Sequence, residues 1–228
     1  MGRNSTRRVR GGPACGAVLA AALLAGCAAG APAASSAEPA AVVYRPATPY
    51  HGTEVPVSRP RLTLPDTAGR PFSLADRPRG EVTVVFFGYT HCPDLCPTTM
   101  ADLAAARRTM PAAVRERVRV VFVTEDPERD TPAVLRDWLD RFDPSFLGLA
   151  GGNQATAEVL RVLRLPASKT VATPTPAVIH PEDGHEHPAA YGLDHAGTVY
   201  VFGPQATLVY TGGTTPEEFA RDLTLLAR

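Results

Sequence analysis

The chain has 228 residues, which is enough for one domain of ordinary size with a tail, or at most for two small domains. Basic and acidic residues balance at 23 each, and the composition shows no basic face, so it does not suggest a nucleic-acid partner. Four cysteines are present, Cys15 and Cys27 in an apolar leader and Cys92 and Cys96 in a region predicted to fold.

Residues 1–27 have the pattern of an export signal. Four arginines lie within the first ten residues, and residues 11–25 are small and apolar but too short for a comfortable membrane span. The leader ends in Leu-Ala-Gly-Cys, which resembles a bacterial lipobox, so Cys27 is predicted to become lipidated. The protein would then be lipid-anchored at the cell membrane, on its extracytoplasmic side. An ordinary signal peptide and an uncut membrane anchor are the alternatives.

Residues 28–58 are rich in Ala, Pro and Ser and contain few large apolar residues. Such a composition cannot bury enough surface to fold, and it suits a disordered tether that lifts a domain off a membrane. His51 lies in this stretch and is interpreted as a solvated linker residue. The folded domain is predicted to span residues 59–228.

Strands and helices alternate in this domain. After a strand end and a turn near residue 66, two runs rich in β-branched residues, 82–88 and 118–123, are typical of strands buried on both faces. The remaining pattern predicts four helices and a closing hairpin: helices 98–108, 131–142, 155–163 and 216–227, and hairpin strands 198–202 and 207–210. Thr131 is the predicted N-cap of the second helix, with Pro132 at its first position.

This order predicts an α/β fold, namely a thioredoxin-like domain with a mainly parallel sheet and a C-terminal antiparallel hairpin plus helix. A flavodoxin-like fold is the structural alternative. It would lack the closing hairpin, and it would have a phosphate-binding loop where this chain has a cysteine loop.

The two cysteines of that loop, Cys92 and Cys96, lie between the end of a strand and the start of a helix. Unpaired N–H groups and the positive end of the helix dipole favour thiolate there, and ligands of α/β proteins bind at this edge. The spacing of the two cysteines does not distinguish between three possibilities: a soft-metal site, a redox-active disulfide and a structural disulfide. The structural disulfide is disfavoured because so small a loop gains little from closure.

A metal site needs further ligands, for which histidines are the candidates. His91 adjoins Cys92 and is either a ligand or a bystander. Three histidines lie in a polar loop that is interpreted as solvated: His180, His185 and His187. His195 differs because it leads directly into the hairpin, in the loop that passes beside the cysteine loop in a thioredoxin-like fold.

Three segments together resemble the Sco/SenC family of copper chaperones. They are residues 86–99 (Phe-Phe-Gly-Tyr-Thr-His-Cys-Pro-Asp-Leu-Cys-Pro-Thr-Thr), residues 126–132 (Asp-Pro-Glu-Arg-Asp-Thr-Pro) and the pair Asp-His that ends at His195. The resemblance spans about residues 59–228 and implies copper binding through Cys92, Cys96 and His195. Cu(I) suits such a three-coordinate set, and whether Cu(II) is also bound stays open.

The resemblance also implies a function. Family members help to build the binuclear copper centre of cytochrome c oxidase, by delivering copper to the receiving subunit, by reducing its cysteines, or both. The protein is therefore predicted to be an exported, membrane-anchored copper metallochaperone rather than an enzyme, and no catalytic residue is assigned. The alternative is a thiol–disulfide reductase acting on exported proteins through a redox-active Cys92–Cys96 disulfide.

Several carboxyl groups near these segments need an interpretation. Glu125 stands where a small or apolar residue is expected from the resemblance, which changes the local charge. Asp126 and Asp130 are interpreted as structural rather than metal-binding, with Asp130 or Thr131 capping the next helix. For Asp194 two roles stay open: orienting His195 through a hydrogen bond, and shaping the turn.

Overall fold

The computed structural model describes residues 48–172 and 191–228. Within these ranges the chain forms ten strands and five α-helices. The strands are β1 Thr53–Val55, β2 Thr63–Pro65, β3 Pro71–Ser73, β4 Val82–Gly88, β5 Val118–Thr124, β6 Leu147–Leu149, β7 Lys169–Ala172, β8 Tyr191–Asp194, β9 Val199–Phe202 and β10 Thr207–Tyr210. The helices are α1 Leu95–Thr109, α2 Ala112–Arg115, α3 Pro132–Asp140, α4 Gly152–Val162 and α5 Pro216–Leu226.

Some of the predicted features lie outside the described residues. They are the export signal with Cys27, residues 28–47 of the predicted tether, and the polar loop with its histidines (His180, His185 and His187). Across the two described ranges, none of the helices combines the length and the apolar character that crossing a membrane requires.

Six strands form the central sheet in the order β1-β10-β9-β4-β5-β6. β4, β5 and β6 are parallel, whereas β9, β10 and β1 continue the sheet in antiparallel pairs on the other side of β4. The central strands, the closing β9–β10 hairpin and the final helix α5 make the predicted thioredoxin-like architecture. The sheet as a whole is mixed, because the hairpin and β1 add antiparallel pairs to the parallel centre.

Both faces of the sheet are covered, which explains the continuous apolar run of β4. Since side chains alternate along a strand, Val84 and Phe86 face one core layer and Val85 and Phe87 the other. The first layer packs against α1, α3 and α5, and the second against α4. Every residue of β4 is buried, as the sequence predicts for a strand enclosed on both sides.

Local capping signals set where the helices begin. The Thr131 side chain accepts a hydrogen bond from the Val134 N–H and Pro132 opens α3, which confirms the predicted cap. The predicted start of α1 at residue 98 is wrong, because α1 begins at Leu95. Cys96 therefore lies inside the first turn of the helix, while Cys92 lies in the loop before it.

Five short strands were not predicted from the sequence: β1, β3, β6, β7 and β8. β1 lies inside the stretch assigned to the tether and pairs with β10, so the folded domain begins before residue 59. His51 has an exposed side chain, but its N–H donates to the Asp222 carboxylate at 2.8 Å, so it belongs to the folded part. β6 separates α3 from α4, two helices that were predicted to follow each other directly. Strands of three or four residues are too short to show the alternation of apolar and polar residues by which a strand is recognised in a sequence.

Candidate metal and thiol site

Three side chains converge at the carboxyl edge of the parallel strands. Cys92 follows β4, Cys96 lies in the first turn of α1, and His195 follows β8. His195 Nε2 lies 3.8 Å from Cys92 Sγ and 3.6 Å from Cys96 Sγ. The three potential ligand atoms lie within 4.8 Å of one another, and this is the single His/Cys/Asp/Glu cluster of its kind in the described residues.

Two glycines let these segments approach so closely. A Cβ atom on Gly88, the last residue of β4, would lie 2.7 Å from Cys96 Sγ. Gly197 has a φ of +58°, and a Cβ atom there would collide with the Leu95 side chain between the two cysteines. Side chains at these two positions would therefore push apart the elements that carry the site.

The site is enclosed on one side by aromatic rings. Cys96 is fully buried and Cys92 is 9% exposed, and both are free thiols. The His195 ring meets the Tyr89 ring edge-on, with centroids 5.6 Å apart, and lies 6.4 Å from the Phe86 ring. Of the two cysteine residues, Cys92 is the less completely buried, and His195 is the most exposed of the three.

The two cysteines hold their protons with opposite strength. The pKa of Cys92 is lowered to about 4, mainly because it accepts a hydrogen bond from the Cys96 thiol and then because His195 and helix N–H groups also face it. One of these N–H groups, that of Cys96, lies 3.3 Å from Cys92 Sγ. The pKa of Cys96 is raised, because it donates to Cys92 and because it is buried. The pair therefore holds one proton at neutral pH, with the thiolate at Cys92.

Glu125 faces the same site and changes its electrostatics, as its place in the sequence suggested. Burial raises the pKa of Glu125 to about 7, and its Oε2 atom has no hydrogen-bond partner among the described residues. Burial lowers the pKa of His195, but the hydrogen bond to Cys92 and the charge of Glu125 outweigh that effect, so the net shift is upward. The charge of Glu125 thus raises the pKa of His195, and the charge of His195 lowers the pKa of Glu125.

No hydrogen bond joins Asp194, the candidate for orienting His195, to that imidazole within the described residues, although its charge contributes to raising the pKa of His195. The hydrogen bond to His195 Nδ1 comes from the Gly197 N–H at 3.3 Å. Asp194 instead ends β8, where it pairs with Lys169 of β7. His91 is also outside the cluster, because its Nδ1 lies 3.1 Å from the Thr90 hydroxyl and its side chain is exposed.

Asp130 anchors the cysteine loop rather than a helix. Its fully buried carboxylate accepts hydrogen bonds from the Thr90 N–H at 3.0 Å, the Thr90 hydroxyl at 2.5 Å and the Thr124 hydroxyl at 2.6 Å. Thr90 lies two residues before Cys92, so Asp130 fixes the chain where the loop leaves β4. Of the two predicted caps of α3, Thr131 is the one that the structure contains.

Sequence reasoning missed three further residues around the site: Tyr89, Arg129 and Tyr191. Arg129 donates to the Tyr191 carbonyl oxygen, a contact that joins residues 62 positions apart in the chain. No local pattern signals such a pairing. The place of Arg129 inside the 126–132 segment was the one available hint.

The fold and the site define a class of protein, a thioredoxin-like domain with a dithiol loop faced by an imidazole. The SCO1/SenC family model matches residues 54–228, which is more than half of the chain. The chain therefore belongs to the SCO1/SenC family.

Curated relatives and solved structures agree with this assignment. The "Putative copper-binding protein" of Stutzerimonas stutzeri is 33% identical over 65% of this chain and 66% of its own length. The copper-bound ScoI structure of Bradyrhizobium japonicum is 32% identical and covers 75% of this chain and 99% of that chain, with a TM-score of 0.60. The apo Sco1 structure of Thermus thermophilus is 30% identical over 80% of this chain and 99% of that chain, with a TM-score of 0.62. The chain thus spans slightly less than two thirds of the length of that curated relative.

Proposed function

We propose that this protein is a copper(I) metallochaperone that holds its cargo through Cys92, Cys96 and His195. The observation that carries the proposal is the convergence of two sulfurs and one imidazole nitrogen within 4.8 Å of one another. Thiolate and imidazole donors are soft enough to favour Cu(I), and a three-coordinate ion stays open to an incoming ligand. The copper-bound relative from Bradyrhizobium supports copper as the metal.

Copper uptake by this donor set requires the loss of a proton. Cys96 has a raised pKa and must give up its thiol proton to become a ligand. His195 accepts at Nδ1 from Gly197, which places the ring proton of the neutral imidazole on Nε2, the atom that faces the sulfurs. Before Nε2 can bind a metal ion, that proton must move to Nδ1, which then gives up the hydrogen bond from Gly197, so the histidine releases no net proton and the Cys96 thiol is the group that does. Copper affinity is therefore expected to rise with pH.

The proposed recipient is the copper-receiving subunit of cytochrome c oxidase, and the proposed location is the outer side of the cell membrane. Membership of the SCO1/SenC family supports the recipient, and the lipobox-like sequence before Cys27 supports the anchor. The recipient is tested by mixing copper-loaded protein with the purified copper-binding domain of that subunit. Transfer supports the proposal, and retention of copper by the donor argues against it.

The state of the two thiols favours a second activity, reduction of a partner's disulfide. The Cys92 thiolate would attack the partner disulfide, forming a mixed disulfide and releasing one partner sulfur as a thiolate. Cys96, once deprotonated, would then attack Cys92, closing the Cys92–Cys96 disulfide and releasing the second partner thiolate. The partner gains two electrons, and this protein loses two. A chaperone needs His195, whereas a reductase of this kind does not.

Metal stoichiometry in the presence of a Cu(I) competitor tests the main proposal. The reduced wild-type protein is expected to bind one Cu(I) per domain, with a large loss of affinity in Cys92→Ser and in His195→Ala. His91→Ala is the matched control, because this exposed histidine adjoins the cysteine loop but lies outside the cluster. Uptake by the double variant Cys92→Ser/Cys96→Ser that equals the wild type would disprove copper binding at this site.

Labelling of cells with a radioactive fatty acid tests the anchor. The full-length protein is expected to take up label that Cys27→Ala loses. Cys15→Ala is the control, since this second leader cysteine has no lipobox before it. Equal labelling of wild type and Cys27→Ala, or no labelling of either, would exclude lipidation of Cys27.

A further inference from the structure

His195 is carried by an element that is separate from the central sheet. β8, which ends one residue before His195, pairs with β7 in a two-stranded sheet of its own. The cysteines follow β4, which is hydrogen-bonded to β5 and β9 in the middle of the six-stranded sheet. The central sheet therefore restrains His195 from its C-terminal side, where β9 begins at Val199, but not through β8.

Hydrogen bonds from side chains fix β8 instead. The Arg129 guanidinium donates to the Tyr191 carbonyl oxygen at 2.9 Å, and the Tyr191 hydroxyl donates to the Asp126 carboxylate at 2.7 Å. The Leu193 N–H donates to the Tyr89 hydroxyl at 3.1 Å. Tyr191 and Leu193 are alternate residues of β8, so the strand is held at two points along its length.

Arg129 is the centre of this set of contacts. Its guanidinium forms an ion pair with Asp126, which is 4% exposed, and lies 3.5 Å from the centre of the Tyr191 ring. The same group lies 5.8 Å from the centre of the Tyr89 ring. Arg129 thus joins the loop after β5 to β8 and to the end of β4. A planar guanidinium can form the ion pair, the backbone contact and the stacking contact at once, which a lysine cannot.

Tyr89 connects these contacts to the site itself. Its hydroxyl accepts the Leu193 N–H, its ring meets the His195 ring edge-on, and its carbonyl oxygen accepts the Cys92 N–H at 3.2 Å. One residue therefore touches both the strand that carries the imidazole and the loop that carries the thiolate.

We propose that Arg129, acting with Tyr191 and Asp126, is a positioning residue that holds His195 over the cysteine pair. In its effect on copper this inference rests on the proposed function, whereas its effect on β8 does not. Without Arg129 the cysteines keep their geometry, because Asp130 anchors their loop independently. The imidazole then spends less time within reach of the sulfurs, so a three-ligand site becomes a two-ligand site.

Hydrogen exchange of the reduced, metal-free protein tests the positioning directly. Arg129→Gln and Tyr191→Phe are expected to speed amide exchange in residues 191–197 while leaving β4 and β5 protected. The matched controls are Arg136→Gln and Tyr200→Phe. Arg136 also bonds an aspartate and a carbonyl oxygen, and the Tyr200 hydroxyl also donates to a carbonyl oxygen, but neither touches β8. Unchanged exchange at 191–197 in Arg129→Gln would overturn the proposal.

Copper coordination supplies a readout that general destabilisation would not change. Arg129→Gln is expected to lose roughly tenfold or more in Cu(I) affinity, as is usual when the groups that orient a ligand are removed. X-ray absorption is expected to show two sulfurs with a weakened nitrogen contribution. The double variant Arg129→Gln/His195→Ala should bind Cu(I) almost as well as His195→Ala alone, because Arg129 acts through the histidine. Additive losses, or an intact nitrogen contribution in Arg129→Gln, would overturn the proposal.

The two experiments separate the two proposals. A wild-type protein that takes up no Cu(I) disproves the proposed function, and the exchange measurement still decides whether Arg129 positions His195. Normal copper uptake with unchanged exchange in Arg129→Gln leaves the proposed function standing and rejects the positioning role.

Discussion

At the scale of single residues, the site depends on how two neighbouring thiols share one proton. Cys92 receives hydrogen bonds from Cys96, His195 and the start of α1, whereas Cys96 is enclosed by the core. We therefore expect Cys92, whose pKa is lowered, to be the nucleophile and the fully buried Cys96 to be the proton donor. The same asymmetry suits both proposed activities, because copper and a partner's disulfide meet the thiolate first.

The lowered pKa of Cys92 predicts its reactivity. Alkylation of the reduced protein by iodoacetamide is expected to reach half of its maximal rate near pH 4, since the thiolate is the reacting species and the pKa is about 4. In His195→Ala the midpoint should move upward, because one hydrogen bond to the thiolate is lost. Mass spectrometry identifies the modified cysteine, and His91→Ala is the control. A wild-type midpoint near the ordinary thiol value would contradict this assignment.

The raised pKa of Glu125 predicts that the stability of the folded protein depends on pH. Burial raises its pKa to about 7, so the folded state keeps a proton that the unfolded state releases near pH 4.5. Between these values the native state binds more protons, and the free energy of unfolding falls as pH rises. Glu125→Gln is expected to remove this pH dependence and to raise the free energy of unfolding at pH 8 by up to about 3 kcal/mol.

Urea unfolding of the reduced, metal-free protein at pH 5 and pH 8 measures the effect of Glu125. Glu128→Gln is the control, because Glu128 is exposed three residues further along the same loop. Parallel stability curves for wild type and Glu125→Gln would show that the carboxyl group ionises freely in the folded protein.

At the scale of elements, the loop after β5 holds both halves of the site. Asp130 binds the chain where it enters the cysteine loop, and Asp126 with Arg129 binds the strand that leads to His195. The 126–132 segment thus acts as a scaffold without supplying a ligand. This explains how a segment can be diagnostic of a family and yet contain no residue of the cluster.

Asp130→Ala tests the first of these contacts. The substitution leaves the Thr90 N–H and the Thr124 hydroxyl without their acceptor inside the protein, which is expected to lower stability by roughly 2 to 4 kcal/mol. Asp140→Ala, which removes an exposed carboxylate paired with Arg136, should cost less than about 1 kcal/mol. Thermal and urea unfolding measure both variants, and equal losses would mean that the buried hydrogen bonds add nothing.

Elements with strong local signals were predictable from the sequence, and those held by distant contacts were not. The β-branched run of β4 and the Thr-Pro start of α3 depend on neighbours in the chain, so both could be predicted from the sequence. β1 has three residues and pairs with β10, about 150 positions away. The cysteine pair was visible as a motif, but the location of His195 near it needed the fold or the family resemblance.

At the scale of the whole molecule, the first described strand is attached to the last helix. The buried Asp222 carboxylate of α5 accepts hydrogen bonds from the His51 N–H at 2.8 Å, the Gly52 N–H at 2.9 Å and the Tyr210 hydroxyl at 2.8 Å. α5 packs in the same core layer as α1, which carries Cys96. The segment that follows the proposed tether is therefore connected through the core to the helix of the site.

Asp222→Ala is expected to release this connection. Because Asp222 is fully buried, its loss leaves the Gly52 N–H and the Tyr210 hydroxyl unsatisfied and should lower stability by roughly 2 to 4 kcal/mol. Amide exchange should quicken first in residues 51–55, since only β10 then holds β1. Glu217→Gln, an exposed change in the same helix, should leave exchange there unaltered. If residues 51–55 stayed protected in Asp222→Ala, pairing with β10 alone would suffice to hold the first strand in the fold.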